Sequence, residues 1–175
     1  TVLVLPNLNM PLFFLNDMVK SIAIVGGSSD IAKSTISSMS ADNYKFHVLV
    51  RDDSHTDELS ALGVSVVLGD ATSEEDIKNF ISGVKESGEI HAILHCVGSF
   101  AVRPPHAMNK EAFETVISTN LTSAFLTLSI AGKAMLSQGH GRMVFMSSVA
   151  GSLGLVNHEA ISAAKGGIES MVRSA

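Results

Sequence analysis

Short apolar runs alternate with amphipathic stretches along most of the chain. The runs carry apolar residues on consecutive positions, as buried strands do. The stretches between them repeat apolar residues every three or four positions, which is typical of helices packed on one side. The pattern predicts strands within 21–27 and at 46–50, 64–69, 91–98 and 142–148, and helices at 30–41, 74–87, 109–137 and 159–175.

Apolar strands separated by helices predict an α/β fold in which a parallel sheet is covered by helices on both faces. This is the doubly wound, or Rossmann, class, here with five strands and their helices. Ligands of such sheets bind at the carboxyl ends of the strands. The candidate motifs of this chain follow the first, fourth and fifth predicted strands, so we expect them to meet at one edge of the sheet.

The segment VGGSSDIA joins the first predicted strand to the first predicted helix. Small residues at such a turn let backbone N–H groups approach a pyrophosphate at the helix N-terminus. Gly26 meets this need, Ser28 and Ser29 add hydroxyl donors, and Asp30 is a candidate helix cap. The alternative is a plain strand-to-helix turn, and the carboxylate of Asp30 is unfavourable beside bound phosphates.

Arg51 directly follows the second predicted strand. An arginine at this place accommodates a 2′-phosphate, which favours NADP(H) as cofactor and leaves NAD(H) as the alternative. A surface arginine paired with Asp52 or Asp53 explains the residue as well. Asp70 ends the third strand as a candidate partner of the adenine amino group or as a turn residue, and Ala71 beside it joins the candidate cofactor-binding set.

Ser148 follows the fifth strand, and Lys165 lies on the last predicted helix. A serine hydroxyl and a helical lysine placed in this way can converge on a substrate carbonyl and a ribose. The arrangement still needs a proton donor for the substrate oxygen.

These motifs resemble those of the short-chain dehydrogenase/reductase family over about residues 19–175. The family's glycine motif, T-G-x-x-x-G-x-G, is matched in part. Gly26 fits its first glycine and Ile31 lies between the last two glycine positions, which are occupied by Asp30 and Ala32. The resemblance therefore places Ile31 with Gly26 in the cofactor-binding set.

Three further family motifs are recognisable. The family's N-N-A-G appears as HCVG, in which Gly98 is retained and Cys96 becomes a candidate cofactor neighbour. Asn120 matches the asparagine of the long helix, Ser148 the catalytic serine and Lys165 the catalytic lysine. The resemblance implies an NAD(P)(H)-dependent oxidoreductase acting on a carbonyl or secondary alcohol. Ser148 would hold the substrate oxygen, Lys165 the nicotinamide ribose, and Asn120 a water or the lysine.

The family's acid/base tyrosine would fall at position 161, which is an isoleucine here. The single tyrosine, Tyr44, precedes the second strand. His158 is the best local substitute, because histidine side chains exchange protons near neutral pH, although a surface or capping histidine is the alternative. His95 stands where the family has an asparagine near the nicotinamide, either as a catalytic group or as a hydrogen-bonded histidine at a strand end.

The missing tyrosine leaves three functions open. The chain is an enzyme with a substitute acid, a nucleotide-binding protein of weak or no turnover that serves as a sensor, regulator or scaffold, or an inactive fragment. Family members form dimers or tetramers, so we expect a homo-oligomer. The apolar face of the long helix suits such pairing, but burial within one subunit explains it equally.

Composition limits the partners, the metal sites and the cellular location that we expect. Of the 175 residues, 46% are hydrophobic and 17% charged, the formal net charge is −5, and basic residues do not cluster. We therefore expect a folded domain with a small-molecule substrate and neither nucleic-acid nor membrane partners. The lone cysteine and the scattered histidines predict a cytoplasmic location and no zinc site.

Both ends of the sequence depart from a regular domain pattern. Residues 1–17 are apolar but broken by Pro6 and Pro11, and they lack the basic region and cleavage site of a signal peptide. We expect a leader or extension outside the main fold, with the dinucleotide-binding domain at 18–175. The sequence stops inside a predicted helix, which predicts C-terminal truncation and leaves the fifth strand as an exposed apolar edge.

Overall fold

A single six-stranded sheet forms the centre of the molecule. The computed structural model describes residues 2–4 (their backbone), 19–39 and 43–175. The sheet order is β1-β6-β5-β2-β3-β4. The strands are β1 (Val2–Val4), β2 (Lys20–Val25), β3 (Tyr44–Val50), β4 (Ser65–Leu68), β5 (Ile90–His95) and β6 (Arg142–Met146).

Strands β2 to β6 pair in parallel, which confirms the predicted doubly wound α/β fold. Each of the five predicted strands is present, with bounds that differ by a few residues. Strand β2 lies at the centre, between β5 and β3. Its carboxyl end, Val25, is level with His95 of β5 and Leu49 of β3. The loops that follow these three strands therefore emerge side by side.

Seven α-helices connect or follow the described strands. The four predicted helical regions are present, and the short helices α2 and α6 were not predicted. The helices are α1 (Asp30–Ser38), α2 (Thr56–Ala61), α3 (Glu74–Glu86), α4 (Lys110–Ile117), α5 (Ser123–Gln138), α6 (Val149–Ser152) and α7 (Glu159–Ser174). Residues 40–42, at the end of the first predicted helix, lie outside the described part.

The sheet has a hydrophobic core on each face, as its alternating side chains require. Ile22 and Ile24 of β2 point to the face covered by α1 and α2, where Ile36 and Leu59 are buried. The intervening β2 residues point to the opposite face, which is covered by α3, α5 and α7. Phe80 of α3 and Phe145 of β6 are among the largest buried side chains.

The N-terminal segment differs from the prediction where the structure describes it. Residues 2–4 pair antiparallel with β6, with Val2 opposite Met146 and Val4 opposite Val144. These residues therefore belong to the sheet, and β6 has a neighbour on both sides. The prediction failed because three residues carry too little pattern to identify a strand whose partner is remote in sequence. Residues 5–18 lie outside the described part.

The long predicted helix is interrupted by a π-helical turn at Ser118–Thr122. A π turn accommodates one extra residue and shifts the face that the following residues present. Val116, Asn120, Ala124 and Ala131 are buried along the combined helix, whereas Phe125 is 54% exposed. The apolar stripe seen in the sequence thus coincides only in part with the buried face.

The combined stretch Lys110–Gln138 is long and apolar enough, by length and composition alone, to cross a membrane. Core helices pass the same test, and here Ala124, Ala131 and Met135 pack in the main core. No other described helix passes it. The expectation that the protein has no membrane partner stays a prediction.

Helices α6 and α7 cross in close contact at two glycines. A Cβ atom on Gly151 would lie 2.8 Å from the backbone nitrogen of Gly166 and 2.9 Å from the carbonyl carbon of Lys165. Backbone atoms cannot move aside without shifting a whole helix. The crossing holds α7, which carries Lys165, against the turn that begins at Ser148.

We predict that Gly151→Ala lowers the free energy of unfolding by about 1–3 kcal/mol, because the added methyl group overlaps the backbone of α7. Gly83→Ala is the matched control, since a Cβ there meets nothing within 4 Å inside α3. It should stabilise the protein by about 0.5–1 kcal/mol through better helix propensity. Urea unfolding of both variants checks this, and equal stabilities would contradict the close crossing.

Candidate active site

A cleft of about 460 Å³ opens at the carboxyl ends of β2 to β5. It lies at the edge of the sheet where the sequence motifs were expected to meet. The predicted cofactor-binding residues that line it are Gly26, Ser28, Ser29, Arg51, Asp70, Ala71, Cys96 and Gly98. Asp30, Ile31 and Lys165, together with Ser148, Asn120 and His158, are not among the residues that line it.

The turn after β2 requires its first glycine. Gly26 has φ +88°, a conformation that side chains disfavour, and a Cβ there would lie 2.8 Å from the backbone nitrogen of Val97. The amide nitrogens of Gly26 and Gly27 both donate to the Leu49 carbonyl, at 3.0 Å each. The turn is thus fixed between β3 and β5, in a close contact with the loop after β5 that a side chain would prevent.

Helix α1 is capped by Ser29, not by Asp30 as predicted. The Ser29 hydroxyl accepts a hydrogen bond from the Ala32 amide at 3.2 Å. Asp30 is the first residue of the helix, and its exposed carboxylate lies 3.9 Å from Lys33. Ile31 is 52% exposed. Serine takes the place of aspartate because the helix begins at Asp30 itself, one residue earlier than a cap at Asp30 would allow.

Arg51 lies at the adenosine-facing end of the cleft as this fold class orients it. Its side chain is 81% exposed and its Nε lies 3.9 Å from an Asp52 carboxylate oxygen. Asp52 also lines the cleft. The contact is long and fully accessible to water, so it contributes little stability and leaves the guanidinium available to a phosphate.

Asp70 forms a local turn at the cleft. One carboxylate oxygen accepts hydrogen bonds from the amide and the hydroxyl of Thr72, both at 2.8 Å. Its own amide donates to Asp76 at 2.8 Å. Asp70 is therefore a turn residue, which was one of the two alternatives for it. Asp70 and the neighbouring Ala71 both line the cleft.

Cys96 and Gly98 come from the loop after β5. Burial is the main cause that raises the pKa of the Cys96 thiol to about 11, against the opposing effects of Ser29 and Lys165. The thiol is therefore protonated and unreactive at neutral pH. A Cβ on Gly98 would lie 3.4 Å from the Asn120 amide oxygen and 3.9 Å from Lys165 Nζ. Gly98 thus connects the cleft to the catalytic candidates.

Lys165 is buried next to Gly98, just outside the set of residues that line the cleft, with 6% of its surface exposed. Its Nζ donates a hydrogen bond to the Met146 carbonyl at the end of β6, at 2.9 Å. Burial lowers the pKa of this ammonium group, and Cys96 opposes the shift. Ser148 begins α6 two residues after Met146, where its hydroxyl accepts from the Ala150 amide at 3.2 Å.

Asn120 is fully buried inside the π turn. Its amide nitrogen donates to the Ser99 hydroxyl and to the Val116 carbonyl, both at 2.9 Å, and its amide oxygen accepts from the Ser99 amide at 3.3 Å. These bonds attach the long helix to the loop after β5. Asn120 and Lys165 therefore approach the same point, beside Gly98.

Position 161 is apolar and packed. Ile161 is 4% exposed and belongs to a small cluster with Val116, Ala150 and Ala160. Tyr44 lies at the opposite, amino end of β3, where its ring contacts Phe46. It cannot reach the catalytic residues. In the described part of the chain, no tyrosine lies at this site.

His158 precedes α7 at the rim of the site. Its Nδ1–H donates to the Val156 carbonyl at 2.7 Å, and its ring contacts Phe100 edge-on at 5.5 Å. The carbonyl bond assigns the proton to Nδ1 and leaves Nε2 as the acceptor of the neutral ring. The imidazole does not cap the helix by a side-chain hydrogen bond.

His95 is fully buried at the end of β5. Its Nε2–H donates to the Ser123 hydroxyl at 3.0 Å, because that hydroxyl donates to the Thr119 carbonyl at 2.6 Å. Nδ1 has no hydrogen-bond partner among the described residues. Burial, and secondarily Lys165, lowers the pKa of His95 to about 3. The ring is therefore neutral at physiological pH, which favours its structural interpretation.

Sequence reasoning missed several residues that line the cleft. Thr115, Ser118 and Thr119 offer hydroxyl groups from the long helix, beside Gly98 and Val97 of the loop after β5. The signal available was helical spacing, because Ser118 and Thr119 lie three and four positions after Thr115 in the region that leads to Asn120. Among the described residues, no group of three histidine, cysteine or acidic side chains has metal-binding geometry, and the expectation of no zinc site stays a prediction.

Comparison with known proteins identifies the architecture. The model of the short chain dehydrogenase family matches residues 20–175. The chain belongs to the short-chain dehydrogenase family. Its relatives include the 3-oxoacyl-[acyl-carrier-protein] reductase MabA of Mycobacterium bovis, 30% identical over 156 residues that cover 89% of this chain and 61% of the relative. A tropinone reductase homologue of Arabidopsis thaliana is 26% identical, covering 86% and 59%.

Solved structures share the fold of this short-chain dehydrogenase family member. Levodione reductase superposes with a TM-score of 0.83 at 24% identity, over 89% of this chain and 64% of that one. A variant of ElxO with NADPH bound gives 0.82 at 21% identity, over 88% and 65%. The chain spans about three fifths of the length of the curated relatives it matches.

The buried neutral His95 predicts a loss of stability in acid. Its pKa is lowered on folding, so the unfolded state binds the proton more tightly and stability falls as the pH drops below about 6.5. Between pH 7 and pH 5 the loss from this group is about 2 kcal/mol. Urea unfolding at both pH values checks this. His95→Asn should show a smaller loss, and a loss as large as that of the wild type would contradict the assignment.

Proposed function

We propose that this chain binds a nicotinamide dinucleotide in the cleft, with NADP(H) preferred, and that it reduces a carbonyl or oxidises a secondary alcohol. The convergence of the Gly26 turn, Arg51 and Gly98 on one cleft, with Lys165 next to Gly98, carries the proposal. The family match and the 3-oxoacyl reductase among the relatives support it.

The fit of the cofactor rests on the shape of the turn at Gly26. A side chain at Gly26 would clash with the backbone of Val97. Because glycine has no side chain, the turn leaves the peptide N–H groups at the start of α1 accessible to a pyrophosphate. Ser28 and Ser29 add hydroxyl groups to this surface. Asp30 opposes phosphate binding, although its full exposure lets water and Lys33 screen its charge.

The bound nicotinamide would supply or accept the hydride. Ser148 would donate a hydrogen bond to the substrate oxygen, and Lys165 would hold the ribose while its cation stabilises negative charge on that oxygen. Asn120 keeps the helix and the loop at Ser99 in register, through bonds of 2.9 to 3.4 Å. The exposed ring of Phe100, which contacts His158 edge-on, would pack against the rest of the substrate.

A second candidate function is nucleotide binding without efficient turnover. The observation that favours it is the packing of Ile161 among apolar side chains, because no hydroxyl replaces the family's tyrosine at that place. A protein of this kind would sense the cofactor, regulate a partner or act as a scaffold. Such a protein would bind the cofactor in the same cleft but would not reduce a carbonyl or oxidise an alcohol efficiently.

We also propose that copies of the chain pair through the long helix. Phe113, Phe125 and Leu136 are exposed there, on the side turned away from the sheet. Exposed apolar residues at helical spacing are typical of subunit interfaces. A cytoplasmic location is proposed for the same protein, from its single buried cysteine.

Cofactor preference is tested by fluorescence titration with NADPH and NADH, to which a chain without tryptophan adds little background. We predict saturable binding that favours NADPH. Arg51→Ala should weaken NADPH binding by about tenfold or more through loss of a charge-assisted phosphate contact and leave NADH binding unchanged. Arg173→Ala, at the exposed end of α7, is the control. Absence of binding of either cofactor would refute the proposed function.

The missing hydroxyl is tested by Ile161→Tyr with Ile161→Phe as its matched control. Both rings enlarge the apolar cluster at a cost of about 1–3 kcal/mol, but tyrosine alone adds a hydroxyl group at the family's position. We predict that Ile161→Tyr raises the kcat for NADPH-dependent reduction of ethyl acetoacetate by about 100-fold over Ile161→Phe. Equal rates would favour the second candidate function.

A further inference from the structure

Lys165 is a buried cation beside Gly98, one of the residues that line the cleft. Its Nζ lies between the ends of β5 and β6, bonded to the Met146 carbonyl and close to Gly98. An ammonium group carries three N–H donors, and the described structure assigns one of them. Gly98 lines the cleft, and a Cβ there would lie 3.9 Å from Lys165 Nζ, so only this small residue separates the ammonium from a ligand in the cleft.

We propose that the Lys165 ammonium is itself the proton donor of this site, in place of the family's tyrosine. This inference rests on the proposed function. In the reduction, the nicotinamide hydride forms a C–H bond at the carbonyl carbon as the C=O π bond breaks, and an N–H proton of Lys165 passes to the oxygen. The products are the alcohol, the oxidised nicotinamide and a neutral amine, which regains a proton from water.

The surroundings of Lys165 favour loss of its proton. Cys96 and His95 face it from β5, and both are neutral, because burial raises the pKa of the thiol to about 11 and lowers that of the imidazole to about 3. On its own helix, the Glu169 carboxylate accepts a hydrogen bond from Ser147 at 2.6 Å. Among the described ion pairs none includes Lys165, so no anion holds its charge.

Lys165 is better placed than His158 for this step. The Lys165 side chain is bonded to the end of the strand that leads into Ser148, and its backbone carbonyl approaches the Ser147 hydroxyl at 3.5 Å. His158 is held by the Val156 carbonyl and by Phe100, both in strongly exposed residues at the rim. The described hydrogen bonds therefore join Lys165, and not His158, to Met146 and Ser147, the two residues that precede Ser148.

The decisive variant is Lys165→Arg. A guanidinium keeps the positive charge and its hydrogen bonds, but it does not release a proton near neutral pH. If Lys165 only binds the ribose, the variant keeps its turnover. If Lys165 donates the proton, kcat for ethyl acetoacetate falls by about 100-fold or more while the Kd for NADPH changes by less than about threefold. Lys133→Arg, on the exposed side of α5, is the control.

Two further measurements distinguish loss of the proton donor from a folding defect in Lys165→Arg. Lys165→Ala should regain turnover when ethylammonium is added, since a small amine can fill the cavity and donate the proton, and guanidinium should give no rescue. In the wild type without cofactor, competitive acetylation followed by peptide mass spectrometry should show Lys165 labelled at a lower pH than N-acetyl-lysine amide. This second measurement does not depend on turnover.

The outcomes separate the inference from the function on which it rests. Failure of the wild type to bind NADPH refutes the proposed function. Binding of NADPH with no reduction of ethyl acetoacetate, retention of turnover by Lys165→Arg, or loss of turnover in His158→Gln with Lys165→Arg active, each overturns the role of Lys165. Loss of turnover in Lys165→Arg with intact NADPH binding, together with rescue of Lys165→Ala by ethylammonium, supports it.

Discussion

The parallel pairing of β2 with β5 is the constraint on which the site depends. Val25 lies level with His95 in this pair, and its carbonyl accepts the Cys96 amide at 2.8 Å. The turn at Gly26 and the loop at Gly98 therefore leave the sheet side by side. One loop supplies the N-terminus of a helix and the other gives access to Lys165, so a shift of register by one residue would separate the two halves of the cleft.

Local sequence patterns predict much of this arrangement. The five parallel strands were predictable because each contains a run of consecutive apolar residues, although Val67 and Leu68 of the edge strand β4 are exposed. Helix α3 was predictable because Ile77, Phe80, Ile81 and Val84 repeat at helical spacing, and all four are buried. The position of the cleft followed from the general location of ligands at the carboxyl ends of parallel strands.

Features that depend on distant contacts were not predictable in this way. The sequence around Asn120 continues a helical pattern and therefore gives no sign of the π turn. The turn depends instead on the hydrogen bond between Asn120 and the remote Ser99. The hydroxyl groups of Ser118 and Thr119 line the cleft because that turn presents them to the loop after β5. Ser29 and Asp30 are both good capping residues, so sequence preference alone did not choose between them.

The antiparallel pairing of β1 with β6 joins the first described strand to the last. Strands so remote in sequence meet only after the chain between them has been ordered, because closing a long loop costs entropy before any contact repays it. The outer peptide groups of β6 thus acquire their partners late in folding. During synthesis, β1 emerges before β6 and stays unpaired until β6 has been made, so this pairing forms only after β2 to β5 have left the ribosome.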